Sequence, residues 1–212
     1  MIKKIAIWLM VINLSFYCVS CEQNKQQSRF QEDIHFESVQ PLDQFGTPTI
    51  TEFFWYGCKH CQSFAPELES WLAANKHITA DYQPIIWNEK TELHAKVFYL
   101  LAKNSDFKEL HGKMFDVALG FSRTSTLEEQ KVKLIKILND WGIPPINSVD
   151  ALDGDLYSEE IAATLKQMKN YQISSVPTVI VDGQFKIKNK KLKSTAEILQ
   201  VADKLLISKV NP

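Results

Sequence analysis

Two apolar rhythms run along this chain, and their order predicts its architecture. Ile34–Val39 alternates over a few residues and predicts an edge strand, with turns marked after it by Pro41, Gly46 and Pro48. Thr49–Tyr56 (TITEFFWY) is β-branched and aromatic, the composition of a buried strand, with Glu52 as its misfit. Gly57 ends that run. From Lys59 to Lys76 the period changes to that of a helix, with Phe64, Leu68, Trp71 and Leu72 on one face and a kink expected at Pro66. Ile78–Trp87 predicts another strand, interrupted by Pro84.

From Glu89 the helical period takes over. Leu93, Val97, Leu100 and Leu101 form one stripe; Phe107, Leu110, Met114, Phe115 and Ala118 form a second. Ser125 with Glu128 has the spacing of a capping box for a third helix, which directs Val132, Ile135, Leu138 and Trp141 inward and stops at Gly142 and Pro144-Pro145. A fourth helix is predicted over 158–170, with Ile161, Leu165 and Met168 inward. Strand signals return at Val176–Val181. Asp182-Gly183 is a hairpin-turn pair, Gln184–Lys188 its partner strand, and Ser194 caps a last helix on Ile198, Val201, Leu205 and Leu206.

This order predicts an α/β fold: one mixed central sheet flanked by helices, with a helical domain inserted in the middle. A simple strand–helix–strand unit takes roughly 30 residues, and the stretch from Cys61 to Pro177 is several times longer. The expected boundaries are 34–88 for the first part of the sheet domain, 89–170 for the inserted helices and 171–212 for the second part.

The N-terminus follows another logic. Lys3 and Lys4 precede an apolar run from Ile5 to Tyr17, and small residues follow at Val19 and Ser20. This three-part layout predicts a secretory signal over 1–20. The run falls short of the roughly 20 residues of a membrane span, although an uncleaved anchor is the alternative. Export implies an oxidising compartment. Cleavage after Ser20 leaves Cys21 first, and Val19-Ser20-Cys21 is similar to the end of a bacterial lipoprotein signal, making Cys21 a candidate for lipidation. Residues 21–33 are polar and suit a tether or a disordered start. The net charge of −1 gives no broad basic field for nucleic acid, and the basic run 186–193 fits a solvated connection.

Four cysteines are present, and Cys58 and Cys61 form a CxxC pair between a strand and a helix start. Unpaired N–H groups and the helix dipole stabilise a thiolate there, and the thiolate is the nucleophile of disulfide exchange. Cys58 is the candidate attacking sulfur and Cys61 the resolving one. Lys59 and His60 supply neighbouring positive groups that favour the dithiol state and make the disulfide more oxidising; the alternative for His60 is a solvated loop histidine. A zinc site requires a second ligand pair, and a c-type haem requires His where Gln62 stands. No metal or cofactor is therefore expected; a purely structural disulfide remains the other reading of the pair. Val176-Pro177 opens a strand, where either a cis bond or an ordinary trans strand-edge proline is admissible. Glu52, if buried, has a raised pKa and can exchange protons with Cys61; if the strand is half exposed, it faces outward. His35, His77, His94 and His111 lack ligand spacing and are expected at the surface or its boundary.

The segments EFFWYGCKHCQSFAPEL and SSVPTVIVDGQFKI resemble the bacterial periplasmic disulfide-forming oxidoreductases of the DsbA family, over a stretch from about Phe30 to the C-terminus. Lys59 stands where that family usually has proline, and Ala65 where an acid is common. The resemblance implies a thioredoxin fold with an inserted helical domain, a cis peptide before Pro177 facing the cysteines, and a buried acid at Glu52. It implies a periplasmic enzyme that donates its disulfide to reduced, unfolded exported proteins and is reoxidised by a quinone-linked membrane protein. Substrate docking is expected at Val176 and Pro177, where an extended chain can pair as an added strand, with Lys59 as a further candidate contact. The alternatives are a reductase or isomerase of the same fold, or an exported chaperone-like binding protein with structural cysteines.

Overall fold

The computed structural model describes residues 29–41, 47–121, 124–143, 152, 155 and 157–210. The signal segment, Cys21, the Gly46 turn and the Pro144-Pro145 stop lie outside them. Five strands form one mixed sheet: β1 Phe36–Ser38, β2 Thr49–Phe54, β3 Thr79–Pro84, β4 Thr178–Val181 and β5 Phe185–Ile187. Their order is β1-β5-β4-β2-β3, with β2 and β3 parallel and the other pairs antiparallel. Every residue of β2 is buried, as its apolar run predicts for a central strand. β1 is shorter than expected, and β3 ends at Pro84, which has no N–H to continue a ladder.

Between β2 and β3 runs α1, Lys59–Ala74, which continues through the exposed Pro66. Phe64 and Leu68 of α1 pack with Ile50, Val179 and Val181 of the sheet and with Ile198, Val201, Ala202 and Leu205 of the last helix, α6 (Thr195–Val210). The other sheet face places Phe53, Ile85 and Ile180 against Met168 and Tyr171, at the end of α5, Ser158–Asn170. Asp182 and Gly183 have φ of 50° and 64°, and Gln184 N–H donates to the Val181 carbonyl at 2.9 Å, the primed hairpin turn that this residue pair favours.

The inserted helices are α2 Glu89–Leu101, α3 Phe107–Leu119 and α4 Leu127–Asp140. Leu93, Val97, Phe98, Leu110, Met114, Phe115, Leu134 and Leu138 form a core with Phe54, Tyr56 and Cys61. Three sequence expectations fail in the helices. The capping box of α4 is Thr126 with Glu129, one residue later than expected: Thr126 Oγ1 accepts from Glu129 N–H at 3.2 Å and Glu129 Oε2 from Thr126 N–H at 2.8 Å. Ser125 instead gives its carbonyl to Lys90 Nζ at 2.6 Å. The start of α4 therefore presents Gln130, Lys131, Leu134 and Leu138 inward and leaves Val132 54% exposed. On α5, Thr164 takes the inward place and Leu165 is 44% exposed. Thr164 Oγ1 donates to Gln83 Oε1 at 2.8 Å, so a polar contact sets that face. Among the described residues no helix is long and apolar enough to cross a membrane.

Candidate active site

β2 delivers the chain to the site, and α1 carries it away. Tyr56 and Gly57 make the turn, and Cys58 N–H donates to the Trp55 carbonyl at 2.9 Å. Gly57 is required by close approach: a Cβ there would lie 2.4 Å from the Trp55 indole. Cys58 is the N-cap of α1 with extended backbone (φ −101°, ψ 113°), and its Sγ accepts from Cys61 N–H at 3.4 Å. The sulfur thus occupies the place usually taken by a capping oxygen, facing the free N–H groups of the first turn.

Both cysteines are thiols in this structure, and their surroundings diverge. Cys58 is half-buried, whereas Cys61 is fully buried in the core beneath it. The Cys61 S–H directed at Cys58 pulls the Cys58 thiol down to about 6; the Cys61 and His60 backbone N–H groups and the His60 charge assist, against a smaller opposing effect of burial. Burial raises the Cys61 thiol far above the ordinary range, and its hydrogen bond to Cys58 and the nearby Glu52 add to the rise. Lys59 and His60 are exposed at the mouth.

The Val176–Pro177 peptide is cis, and the Cys58 thiol donates to the Val176 carbonyl at 3.7 Å. Val176 is half-exposed and Pro177 buried. Asn189 Nδ2 donates to the Pro177 carbonyl and ties this loop to the turn after β5. Lys186 and Lys188 of the basic run pair with Glu37 at 2.7 and 3.1 Å.

Glu52 points into the protein. It is 1% exposed, and neither carboxylate oxygen has a hydrogen-bond partner. It lies opposite Tyr82 in the β2–β3 register, on the Phe54 face of the strand. Burial raises its pKa to about 8, with smaller effects from the charges of Cys58 and Glu69. The structure therefore brings Cys58, Cys61, Val176 and Glu52 together, with Lys59 and His60 at the rim.

Sequence reading placed two histidines wrongly. His94 and His111 are 3% and 4% exposed rather than at the surface. His94 Nδ1 accepts from Trp55 Nε1–H at 3.0 Å, and His111 Nδ1 meets Tyr56 OH at 2.9 Å. Burial holds both rings neutral, with pKa values near 4. The signal was present: His111 stands four residues from both Phe107 and Phe115, on the apolar stripe of its helix. His35 is half-buried and His77 exposed. Among the described residues no group of three or more His, Cys, Asp or Glu side chains is arranged to hold a metal.

No family model matches the chain. Its sequence is similar to curated thiol:disulfide interchange proteins DsbA: 28% identical over 180 residues to that of Burkholderia cepacia, covering 80% of this chain and 84% of the relative. It is 24% identical over 180 residues to that of Pseudomonas aeruginosa, covering 83% and 82%. The fold matches the crystal structure of Pseudomonas aeruginosa DsbA with a TM-score of 0.70 at 19% identity, covering 85% of this chain and 94% of the other. It matches the DsbA oxidoreductase of Xylella fastidiosa with a TM-score of 0.69 at 18% identity, covering 84% and 96%. Sequence relatives of one kind span most of the chain and carry a name that describes disulfide exchange, and solved DsbA structures share its thioredoxin fold with the helical insertion; the chain is a thiol–disulfide oxidoreductase similar to the DsbA proteins in sequence and in fold.

Proposed function

We propose that this enzyme works as a dithiol oxidase, donating a Cys58–Cys61 disulfide to reduced, unfolded exported proteins. The observation that carries the direction is the stabilisation of a Cys58 thiolate by the Cys61 S–H and the first-turn N–H groups. Whatever stabilises the reduced form makes the disulfide a stronger oxidant. In the forward reaction a substrate thiolate attacks Cys58 Sγ. The bond between Cys58 and Cys61 breaks, a substrate–Cys58 mixed disulfide forms, and the electron pair leaves on Cys61. Glu52, protonated near neutral pH, gives its proton to that buried sulfur, whose thiolate is disfavoured. A second substrate thiolate then attacks the substrate sulfur of the mixed disulfide and releases Cys58 as the stabilised thiolate. The oxidised substrate has lost two electrons and the enzyme has gained them.

Docking uses the Val176 backbone beside Cys58, where an extended substrate pairs as an added strand, with Pro177 next to it and Lys59 at the rim. The enzyme acts in the periplasm after export on the 1–20 signal, tethered through a lipidated Cys21 and the polar segment 21–33. A quinone-linked membrane protein takes the electrons. The working divisions are 34–88 and 171–212 for the thioredoxin part and 89–170 for the helical insert. Equilibrium titration in glutathione buffers tests the direction. A reduction potential more oxidising than about −200 mV is expected; a value near about −270 mV, where thioredoxin lies, would instead make the chain a reductase.

A further inference from the structure

Beside the cysteine turn, on its Trp55 side, is a cavity of about 600 Å³ whose walls, apart from Lys59 at the rim, take no part in the disulfide chemistry proposed above. Its lining includes Trp55, Gly57, His94, Leu119, Phe121 and Gln130, with Lys59 and Lys90. The polar chemistry at its wall is unfinished. His94 is almost wholly buried and neutral, and its Nδ1 accepts the Trp55 indole N–H. A neutral imidazole with Nδ1 as acceptor carries its proton on Nε2. The acceptor that this Nε2–H faces is Gln130 Oε1, yet the two stand beyond normal hydrogen-bond distance and the Nε2–H reaches no other partner. Gln130 Oε1 is buried as well, and beyond this long contact to the ring it has no hydrogen-bond partner. An unpaired buried donor and acceptor are each costly, and here both border an open space. The Trp55 and Phe121 rings supply flat apolar walls. Lys90 Nζ is held by the Ser125 carbonyl, while Lys59 is exposed at the rim.

We propose that this cavity is a binding site for a small aromatic acid or its amide. The carbonyl oxygen of such a ligand accepts from His94 Nε2–H, and the O–H of the acid or an N–H of the amide donates to Gln130 Oε1. Its ring fills the space between Trp55 and Phe121. The lysine at the rim favours a neutral or negative head over a cationic one. The site is independent of the redox direction proposed above, since nothing in its chemistry involves sulfur.

The Trp55 indole N–H resonance of the full chain is the reporter, because it donates to the same imidazole. Benzoate, benzamide and benzylammonium serve as probes. Benzoate and benzamide should move this resonance saturably, and benzylammonium should leave it unmoved. His94→Leu should weaken benzamide binding about tenfold, the loss of one hydrogen bond of roughly 1.4 kcal/mol. Leu119→Trp, which fills the cavity from its wall and leaves the His94–Trp55 pair in place, should abolish binding while the protein still oxidises a reduced substrate. The assignment is overturned if no probe shifts the resonance saturably, if benzylammonium binds as tightly as benzoate, or if benzamide still binds Leu119→Trp.

Discussion

The first turn of α1 and the neighbouring strand β2 treat negative charge in opposite ways. At Cys58 the chain gathers donors: the Cys61 S–H, two backbone N–H groups and the His60 charge hold the thiol at about 6. At Glu52 it strips them away, leaving two buried oxygens without a partner and a carboxyl at about 8. The ordinary values of these groups, 9.0 for the thiol and 4.5 for the carboxyl, have crossed over. Near neutral pH the sulfur is charged and the carboxylic acid is not. Pairs of groups pushed apart in this way mark the acid and base of a reaction. The lesson is that the donors, rather than burial alone, decide the sign: Cys58 is itself half-buried, and its hydrogen bonds outweigh the desolvation.

The strongest test breaks the outer half of the pair. Cys58→Ser should reduce oxidation of a reduced model protein on the order of 10³-fold or more, since no attackable sulfur remains at the mouth. Cys61→Ala should still capture substrate as a mixed disulfide when loaded as a Cys58 adduct, but its Cys58 thiol should titrate higher, because the side-chain donor that lowers it most is gone. A Cys61→Ala protein whose Cys58 still titrates near 6 would remove the physical reason for the crossing.

Removing the acid at Glu52 should give a stability gain. The folded-state pKa is raised, so the carboxyl costs nothing below its unfolded value and its cost grows as pH rises toward 8. Glu52→Leu should therefore be about 2–4 kcal/mol more stable than wild type at pH 7, with the gain vanishing near pH 4. Denaturant melts at the two pH values measure it. A variant of equal stability at both would mean that Glu52 finds a partner in solution. The same variant should slow release of Cys61, because the proton for its sulfur must then come from water.

How much of this was legible beforehand depends on what each residue answers to. β2 and the CxxC turn were readable because a wholly apolar strand, a glycine and a helix start follow one another in sequence, and each is a local signal. Glu52 stood out as a misfit on that strand, although the alternation rule left its direction open until neighbours covered both faces. The faces of α4 and α5 were less legible. Val132 and Leu165 are apolar yet exposed, while Lys131 and Thr164 are buried. Thr164 shows why: its hydroxyl donates to Gln83 on β3, a residue 81 positions away, and no window of sequence contains that contact. The cap of α4 moved by one residue for a related reason, since both Ser125 and Thr126 have a glutamate three places on and only the fold selects between them. His94 and His111 were lost to a rule about metal spacing that does not ask whether an imidazole sits on an apolar stripe.

The thiolate also makes stability depend on redox state. A depressed folded pKa contributes stability that is complete above the unfolded value of about 9 and is lost as pH falls through about 6. That contribution exists only in the dithiol form. The reduced protein should thus melt at higher denaturant than the oxidised one at pH 8. The difference should shrink steadily as pH approaches 6, because Cys58 is then half-protonated. Paired melts across that range follow it. An oxidised form that is the more stable at pH 8 would favour a structural disulfide over a redox centre.

The smallest expected effect belongs to His60. Its charge is the last of the causes that lower the Cys58 thiol, and its side chain is exposed, so water and salt screen it. His60→Ala should raise the Cys58 midpoint by only about 0.5 unit at low salt, and by less at high salt. The backbone N–H of residue 60 survives the substitution, so the part of the stabilisation that comes from the helix start is untouched. Thiolate absorbance followed against pH at two ionic strengths separates the two contributions. A shift as large as that of Cys61→Ala, and insensitive to salt, would mean that the imidazole bonds the sulfur directly. The crossing of Cys58 and Glu52 would then rest on a side chain at the rim, and the donors at the helix start would be secondary.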